Sequence, residues 1–344
     1  MIKVNVRLKV GKKVFKDLEF RVFRSRNINA AQVIILHGIC EHSFRYLPLI
    51  HRLNDAGIDC TLIDHPGHGV QISPYLSCEK SYNSYLNGNQ MPTDKYFQKE
   101  FYRANKNLTL SKIISFQEEF IKFLFSEKIF NPDRPTFLLG QSMGGLIAAV
   151  LAEKIHSLTG IILLSPAFKA RAKLITNNSA GDKVRFKVES TIIRKSDESF
   201  QKSSLFKTFI LSPLLAINPP NECSWAKDYI SDLKEVNCTF ANDPYVGRKL
   251  SLRFLQTIQS QMYHTREKKS TFPYPVFMEF GSEDKIVDAE GSEIFSQKRL
   301  GHKNDHVRKI ENFQPHEIHN SSMKDELFRN MTDWIAKLSQ TPAV

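Results

Sequence analysis

The stretch "FLLGQSMGGLIAAV", residues 137–150, decides the fold of this chain. Three apolar residues lead into "GQSMG", and an apolar segment rich in alanine follows at once. This order predicts a buried strand that turns sharply into a helix. The central residue of such a turn has a strained backbone and needs small neighbours, which the flanking glycines provide. We therefore expect Ser142 to stand above the edge of a sheet, at the N-terminus of a helix.

Segments typical of strands and helices alternate around this turn. The first 25 residues alternate apolar and polar side chains, as hairpin strands do. Short apolar runs predict strands within 31–38, 56–69, 136–140, 159–168, 274–284 and 306–313, and helical spacing marks 115–127, 144–155 and 324–338. The alternation predicts an α/β fold with a mostly parallel sheet and helices on both faces.

Two long segments interrupt this alternation. Residues 70–110 join a strand to the next helix through about 40 residues, where about two to six are usual. A second long segment separates two core strands, and we expect residues 169–240 to form an insertion between them. The predicted core then comprises residues 1–168 and 241–344, with 70–110 as an unusual insertion.

Composition bears on where the protein resides. No apolar run in the 344 residues approaches the roughly 20 residues needed to cross a bilayer, and the alternating N-terminus does not resemble a signal peptide. The five cysteines are scattered and form no CxxC pair, which favours free thiols in a reducing compartment and argues against a zinc site. We expect a cytoplasmic or membrane-peripheral location.

The net charge of +12 favours anionic partners. No nucleic-acid-binding motif accompanies this charge, so we expect no nucleic acid partner. Between Phe168 and Thr208, in the second long segment, ten Lys or Arg residues accompany four Asp or Glu residues, a net charge of +6. A solvated surface explains this run of charge, and so does a segment that docks on an anionic membrane.

A serine becomes a nucleophile only with a base, and the base needs a carboxylate to orient it. When the serine lies on a strand-to-helix turn, the acid and then the histidine follow in chain order, each after a later strand. The stretch "VFMEFGSEDK" offers Glu283 and Asp284, and Asp288 comes soon after. Asp284 sits at the turn after the predicted strand and is the candidate acid, whereas we expect Glu283 to be a solvated charge.

Two histidines, His316 and His319, follow the last predicted strand. His316 comes three residues after that strand and before the closing helix, so it can overhang the edge of the sheet. We expect His316 to be the base and His319 to be structural.

Acyl transfer also requires hydrogen-bond donors for the oxyanion of the tetrahedral intermediate. One candidate is the N–H of Met143, directly after the serine at the helix N-terminus. The second comes from "LHGICEHSFRY", residues 36–46, where Gly38 lets the backbone turn inward and the N–H of Ile39 is the expected donor. We expect His37 to brace this loop rather than to act as a base.

Five short motifs occur in order along the chain: "HGICEHSFRY", "DHPGHG", "GQSMGG", "GSEDKIVD" and "PHEIHN". Together they resemble the monoglyceride lipase and lysophospholipase branch of the α/β-hydrolases, over roughly 31–70, 112–168 and 240–338. The resemblance implies the α/β-hydrolase fold without a metal or organic cofactor, and a lid after Ser165 that lines an acyl-chain pocket. It also implies a triad and an oxyanion hole formed by Ser142, Asp284, His316 and the N–H groups of Ile39 and Met143.

Two features depart from that family. Gln71 stands where the family usually has a serine, two residues after "GHG". Residues 70–110 have no counterpart in it, and the lid is poorly matched. The identity of the substrate therefore cannot be carried over from the resemblance.

These observations favour a serine hydrolase that cleaves carboxylic esters, with a monoacylglycerol or a lysophospholipid as its small lipid ester substrate. We expect the apolar residues 204–220 to cover the acyl chain. The same residues would serve acyl transfer to another acceptor, or hydrolysis of short peptides or small esters. A non-catalytic binding protein is less favoured, because such proteins usually lose a triad residue and none is missing here.

Overall fold

A computed structural model of the chain describes residues 2–10, 13–26, 31–69, 95–171, 220–222, 228–243 and 245–340. The strands in these ranges are β1 (Ile2–Val10), β2 (Lys13–Phe23), β3 (Gln32–Leu36), β4 (Asp59–Ile63), β5 (Thr136–Gln141), β6 (Gly160–Leu164), β7 (Pro220–Glu222), β8 (Lys249–Ser251), β9 (Val276–Gly281) and β10 (His306–Ile310). The helices are α1 (Leu47–Asp55), α2 (Lys95–Asn105), α3 (Leu110–Ser126), α4 (Met143–Ala152), α5 (Lys234–Asn242), α6 (Leu252–Glu267), α7 (Ala289–Lys298) and α8 (Lys324–Ser339).

Eight strands form one sheet in the order β1-β2-β4-β3-β5-β6-β9-β10. Neighbouring strands from β4 to β10 run parallel, while β2 pairs antiparallel with both β4 and β1. A separate antiparallel pair joins β7 to β8. The predicted α/β fold with a mostly parallel sheet is confirmed.

The chain changes direction across the sheet at β3. It leaves β3 for β4 on one side and returns to β5 on the other side. In open α/β sheets such a switch point creates a crevice at the carboxyl ends of the strands, where ligands bind. The loop after β3 and the turn after β5 both lie at this crevice.

The central strands are buried on both faces, which explains their nearly continuous apolar runs. Val33 and Ile35 of β3 pack with α1 and α8, whereas Ile34 and Leu36 pack with α3 and α4. Side chains of a strand alternate between its two faces, so one short strand contributes to both halves of the core.

In the described ranges the predicted strands and the three predicted helices are all found, whereas several other helices were not predicted, among them α1 and α7. Helix α1 has only nine residues, and its buried side chains are Leu49, Ile50 and Leu53. Helix α7 is largely polar, and Asp288 caps it by accepting the N–H of Glu290 at 3.2 Å. Short or polar helices give a weak periodic signal.

The predicted insertion at 70–110 contains α2. Phe101 of this helix is fully buried, and the Gln98 side chain bonds to the backbone of Val246 and Arg248, at 2.9 and 2.8 Å. The insertion therefore packs on the segment that precedes β8.

Most of the predicted lid, with nearly all of the apolar segment 204–220, lies outside the described residues, as does Gln71. Helix α5 crosses the expected boundary at 240–241, and the division into lid and core stays a prediction. In the ranges that the structure describes, no helix is long and apolar enough to cross a membrane.

Candidate active site

The turn between β5 and α4 holds Ser142 at φ 52° and ψ −118°. A positive φ is costly for a residue other than glycine and persists only where the surroundings enforce it. Here the Ser142 N–H donates to the Leu164 carbonyl at 3.0 Å, and the Ser142 carbonyl accepts from the Ala167 N–H at 2.9 Å. Ser142 thus stands at the N-terminus of α4, as the motif predicts.

The glycines of the motif allow three backbone segments to approach one another. A Cβ atom on Gly144 would lie 1.9 Å from the Leu36 carbonyl oxygen, and one on Gly140 would lie 2.2 Å from the Gly144 carbonyl oxygen. A Cβ atom on Gly38 would lie 3.3 Å from Ser142 Cβ. The loop after β3 therefore runs directly beside the serine.

Asp284 and His316 form a buried hydrogen-bonded pair. The Asp284 carboxylate accepts the N–H groups of Ile286 and Val287 through Oδ1, at 2.7 and 3.1 Å. Its Oδ2 accepts a hydrogen bond from His316 Nδ1 at 2.7 Å. A neutral ring that donates from Nδ1 keeps a lone pair on Nε2, so that nitrogen can accept a proton.

The surroundings of His316 favour its protonation. Burial alone would lower the pKa of His316, but the charge and hydrogen bond of Asp284, together with the charges of Glu317 and Glu41, raise it above the ordinary value of 6.5. A general base works best when its pKa lies near the pH of the reaction. The raised pKa of His316 therefore strengthens the ring as a proton acceptor.

The turn after β9 carries two other carboxylates, those of Glu283 and Asp288, whose contacts differ from those of Asp284. Glu283 is partly exposed and accepts from Gln314 Nε2 at 3.2 Å, as expected for a solvated charge. Asp288 caps α7 and lies 3.2 Å from Lys169 Nζ.

Ser142, Asp284 and His316 follow the carboxyl ends of β5, β9 and β10, so all three lie at one edge of the sheet. The structure joins Asp284 to His316. Within the described residues, the Ser142 hydroxyl makes no hydrogen bond to His316. Such bonds are often long in unliganded enzymes and tighten when substrate binds.

Ile39 and Met143 occupy the positions expected of oxyanion donors. Ile39 follows Gly38 in the loop beside the serine, and Met143 is the first residue of α4. Over residues 31–69 and 95–171, neither backbone N–H donates to another group. The role of both N–H groups as oxyanion donors stays a prediction.

Three buried imidazoles, which we call the neutral histidine cluster, lie in the loops after β3 and β4: His37, His65 and His68. Burial and the nearby imidazoles lower the pKa of His37 and of His65 well below 6.5. Burial likewise lowers the pKa of His68 to about 4. The cluster is therefore uncharged near neutral pH, which fits the expected bracing role of His37.

Sequence reasoning missed a buried charge cluster. Arg45 Nη2 donates to both carboxylate oxygens of Glu317, at 2.8 and 2.7 Å, and Arg45 Nε donates to Glu41 at 3.3 Å. Burial and the charge of Glu317 raise the pKa of Glu41 to about 7. Because Glu317 follows His316 directly, the cluster ties the loop after β3 to the loop after β10.

His319 is fully buried but is not joined to a carboxylate. Its ring stacks on Tyr46, with centroids 5.0 Å apart, and neither ring nitrogen has a hydrogen-bond partner in the described part of the chain. Burial lowers the pKa of His319 to about 4. These properties fit the expected structural role.

A second buried histidine–carboxylate pair was also missed. His42 Nε2 lies 2.7 Å from Asp243 Oδ2. The pair links the loop after β3 to the end of α5, and its members are 201 positions apart in the sequence. No local pattern in the sequence marks such a contact.

A sequence profile of the family described as serine aminopeptidase, S33, matches residues 28–322. The chain belongs to this hydrolase family. The monoglyceride lipase of Homo sapiens is 22% identical over 327 residues, which cover 93% of this chain and 87% of that protein. The phospholipase YtpA of Bacillus subtilis is 25% identical over 265 residues, which cover 75% of this chain and 77% of that protein. A Dictyostelium discoideum abhydrolase domain-containing protein is 23% identical over 323 residues, and this chain spans only 28% of its length.

Solved structures confirm the α/β-hydrolase fold. A soluble variant of monoglyceride lipase from Saccharomyces cerevisiae, in complex with a substrate analog, has a TM-score of 0.70 at 16% identity, over 99% of this chain and 96% of that chain. A monoacylglycerol lipase of Paleococcus ferrophilus has a TM-score of 0.64 at 19% identity, over 94% of this chain and 100% of that chain. The resemblance to the monoglyceride lipase branch of the superfamily is confirmed.

Proposed function

We propose that this hydrolase cleaves carboxylic esters through Ser142, Asp284 and His316. One observation carries the proposal: His316 Nδ1 lies 2.7 Å from the buried Asp284 carboxylate, at the sheet edge where Ser142 stands in a strained turn. A histidine held in one tautomer, with a raised pKa, is suited to take the proton of a serine hydroxyl.

In the proposed mechanism, His316 Nε2 accepts the hydroxyl proton as Ser142 Oγ attacks the ester carbonyl carbon. The carbonyl oxygen becomes an oxyanion that the N–H groups of Ile39 and Met143 stabilise. The intermediate collapses, the bond to the leaving alcohol breaks, and His316 returns its proton to that alcohol. Water, deprotonated by His316, then attacks acyl-Ser142, the bond between the acyl carbon and Ser142 Oγ breaks, and His316 returns the proton to Oγ as the acid leaves. In both steps the Asp284 carboxylate stabilises the imidazolium.

The finer proposal is that the ester is a monoacylglycerol or a lysophospholipid. Relatives named monoglyceride lipase and phospholipase support this substrate class. Each buried CH₂ of the acyl chain could contribute up to about 0.8 kcal/mol, so kcat/KM should rise with chain length until the pocket is full. A profile that is flat or falls from acetate upward would favour a small-ester or peptide hydrolase instead.

A second candidate, hydrolysis of short peptides, is favoured by the description of the family as serine aminopeptidases. The same three residues would attack an amide carbonyl. Aminoacyl anilides and dipeptides, assayed beside monoacylglycerols and lysophospholipids of varied chain length, distinguish the two substrate classes. Added alcohols would reveal acyl transfer as new ester products.

A fluorophosphonate probe tests the nucleophile directly. We expect it to label the native protein on Ser142, and Ser142→Ala to abolish both labelling and ester turnover. Gln314→Ala, which removes an exposed hydrogen bond to Glu283, is the matched control and should be labelled normally. Labelling that persists in Ser142→Ala would place the nucleophile elsewhere.

We also propose a cytoplasmic or membrane-peripheral enzyme that approaches anionic membranes through the basic segment after Phe168. Basic residues near such a bilayer contribute roughly 1 kcal/mol each, within a Debye length of about 8 Å at physiological salt. Flotation with anionic vesicles should therefore exceed flotation with neutral ones, and should weaken with salt. Equal flotation with both vesicle types would leave the +6 charge as a solvated surface.

A further inference from the structure

The peptide between Gly38 and Ile39 carries the N–H that the proposed mechanism uses as an oxyanion donor. His37 Nδ1 lies 2.7 Å from the Gly38 carbonyl oxygen of this peptide. No cis peptide bond occurs in the described residues, so the C=O and N–H of this peptide point in opposite directions. A hydrogen bond that holds the carbonyl therefore also sets the direction of the Ile39 N–H.

The tautomer of His37 follows from its second contact. The backbone N–H of His65 donates to His37 Nε2 at 2.9 Å. A ring nitrogen that accepts a hydrogen bond does not carry the proton of a neutral imidazole, so the proton lies on Nδ1 and is donated to Gly38. The His65 ring is fixed in the same way, because its Nε2 donates to the His37 carbonyl at 2.9 Å and its Nδ1 lies 2.8 Å from Gln117 Nε2.

The groups around His37 keep this arrangement uncharged. His65 and His68 lie with ring centroids 4.0 and 5.4 Å from that of His37, and Asp64 Oδ1 is 3.9 Å from Nε2. Burial, opposed only in part by the bond to Gly38, lowers the pKa of His37 well below 6.5. A proton on Nε2 would break the bond from His65.

Other contacts hold the rest of the loop. Glu41 accepts the Gly38 N–H, and the Gly247 N–H donates to the Cys40 carbonyl at 2.7 Å. Cys40 has a φ of 64°, a conformation that needs enforcement in a residue other than glycine. These contacts hold neighbouring groups of the loop, whereas the His37 ring binds the Gly38 carbonyl of this peptide directly.

We propose that His37 is a positioning residue, which aims the Ile39 N–H at the oxyanion formed on Ser142. The inference rests on the proposed function. The peptide lies within reach of the serine, since a methyl group on Gly38 would sit 3.3 Å from Ser142 Cβ.

The test compares two substitutions of buried imidazoles. His37→Leu removes the donor to Gly38, whereas His68→Leu removes an equally buried ring of the same cluster, whose Nδ1 lies 3.3 Å from the Pro66 carbonyl oxygen. Losing one oxyanion donor costs about 10²–10³ in kcat. We expect a loss of this size in His37→Leu with little change in KM, and near-native kcat in His68→Leu.

An oxyanion analogue separates positioning from general damage. An aliphatic trifluoromethyl ketone adds the Ser142 hydroxyl and places a charged oxygen where the oxyanion forms, whereas the matching secondary alcohol does not. His37→Leu should weaken binding of the ketone by about 10²-fold and leave binding of the alcohol unchanged. His37→Asn, which keeps a donor near the place of Nδ1, should recover part of both losses.

Several results would overturn the inference. One is a native kcat in His37→Leu, and another is a loss of kcat in His68→Leu as large as that in His37→Leu. A third is that His37→Leu weakens binding of the ketone and of the alcohol equally. If His37→Leu does not fold, ¹⁵N NMR spectra of the native protein test the tautomer of His37. A proton on Nε2 rather than on Nδ1 would contradict the inference. Absence of Ser142-dependent turnover in the native protein would instead refute the proposed function, and the inference with it.

Discussion

Two groups of histidines lie at the carboxyl ends of the same sheet, yet their chemistry is opposite. His316, in the loop after β10, donates to a carboxylate and has a raised pKa. The neutral histidine cluster, in the loops after β3 and β4, has lowered pKa values. All four rings are buried, so burial is not what distinguishes them.

The difference lies in the hydrogen-bond partners. The rings of the cluster bond to backbone carbonyls, a backbone N–H and an amide, which are neutral groups that favour a neutral ring. His316 bonds to Asp284, whose negative charge favours the imidazolium. The same side chain therefore serves as a brace in one place and is equipped to serve as a base in the other.

The largest expected effect comes from His316→Ala. Loss of the base should lower kcat by about 10⁴–10⁶, without additivity with Ser142→Ala. His319→Ala is the matched control, because this ring is equally buried but has no carboxylate partner among the described residues, and it should retain most turnover. Steady-state kinetics give kcat for both variants. A large loss in His319→Ala with little loss in His316→Ala would make His319 the base.

Asp284→Asn should follow, with a loss of about 10⁴ in kcat. The amide can donate to His316 Nδ1, which would place the ring proton on Nε2 and leave no acceptor for the serine proton. Glu283→Gln, at a neighbouring exposed carboxylate, should leave kcat nearly unchanged. Comparable losses in the two variants would contradict the assignment of the acid.

The lowered pKa of His68, in the neutral histidine cluster, should make the free energy of unfolding depend on pH. Between pH 6.5 and about 4, the unfolded chain binds a proton at His68 that the folded chain excludes. The free energy of unfolding should therefore fall as pH falls through this window, by up to about 1.4 kcal/mol per pH unit for this residue. Urea unfolding should show a shallower pH dependence in His68→Leu, and parallel curves would indicate that His68 is already charged in the folded protein.

The smallest expected effect is a shift in the pH profile of activity. Only the neutral His316 accepts the serine proton, and its raised pKa keeps the inactive protonated form to higher pH. The kcat/KM should therefore rise with pH through an apparent pKa above 6.5. Residual activity of Asp284→Asn should rise at lower pH than native activity, whereas His68→Leu should leave the profile in place. A profile unaffected by Asp284→Asn would assign that pKa to another group.

The candidate site was predictable where its signals are local. The turn around Ser142 is written in five consecutive residues, because a glycine is needed wherever a Cβ atom would meet backbone. The preference for Asp284 over Glu283 rests only on position relative to the end of a predicted strand. The same holds for the preference for His316 over His319. In parallel strands those ends share one edge of the sheet, so chain order alone predicts that the two side chains meet.

The contacts that hold the loop after β3 were not predictable. Arg45 and Glu317 are 272 positions apart, and His42 and Asp243 are 201 apart. Neither pair leaves a local pattern in the sequence, since each joins two segments that are far apart along the chain.

The sequence by itself determined the α/β fold, the strained turn at Ser142 and the placement of Asp284 and His316 after two strands, because these features depend on local spacing and on the order of strands along the chain. Only the tertiary structure decided in which direction the pKa of each of these buried histidines is shifted. A pKa depends on burial and on the sign of the nearest charge, and both are set by residues that folding brings together from distant positions.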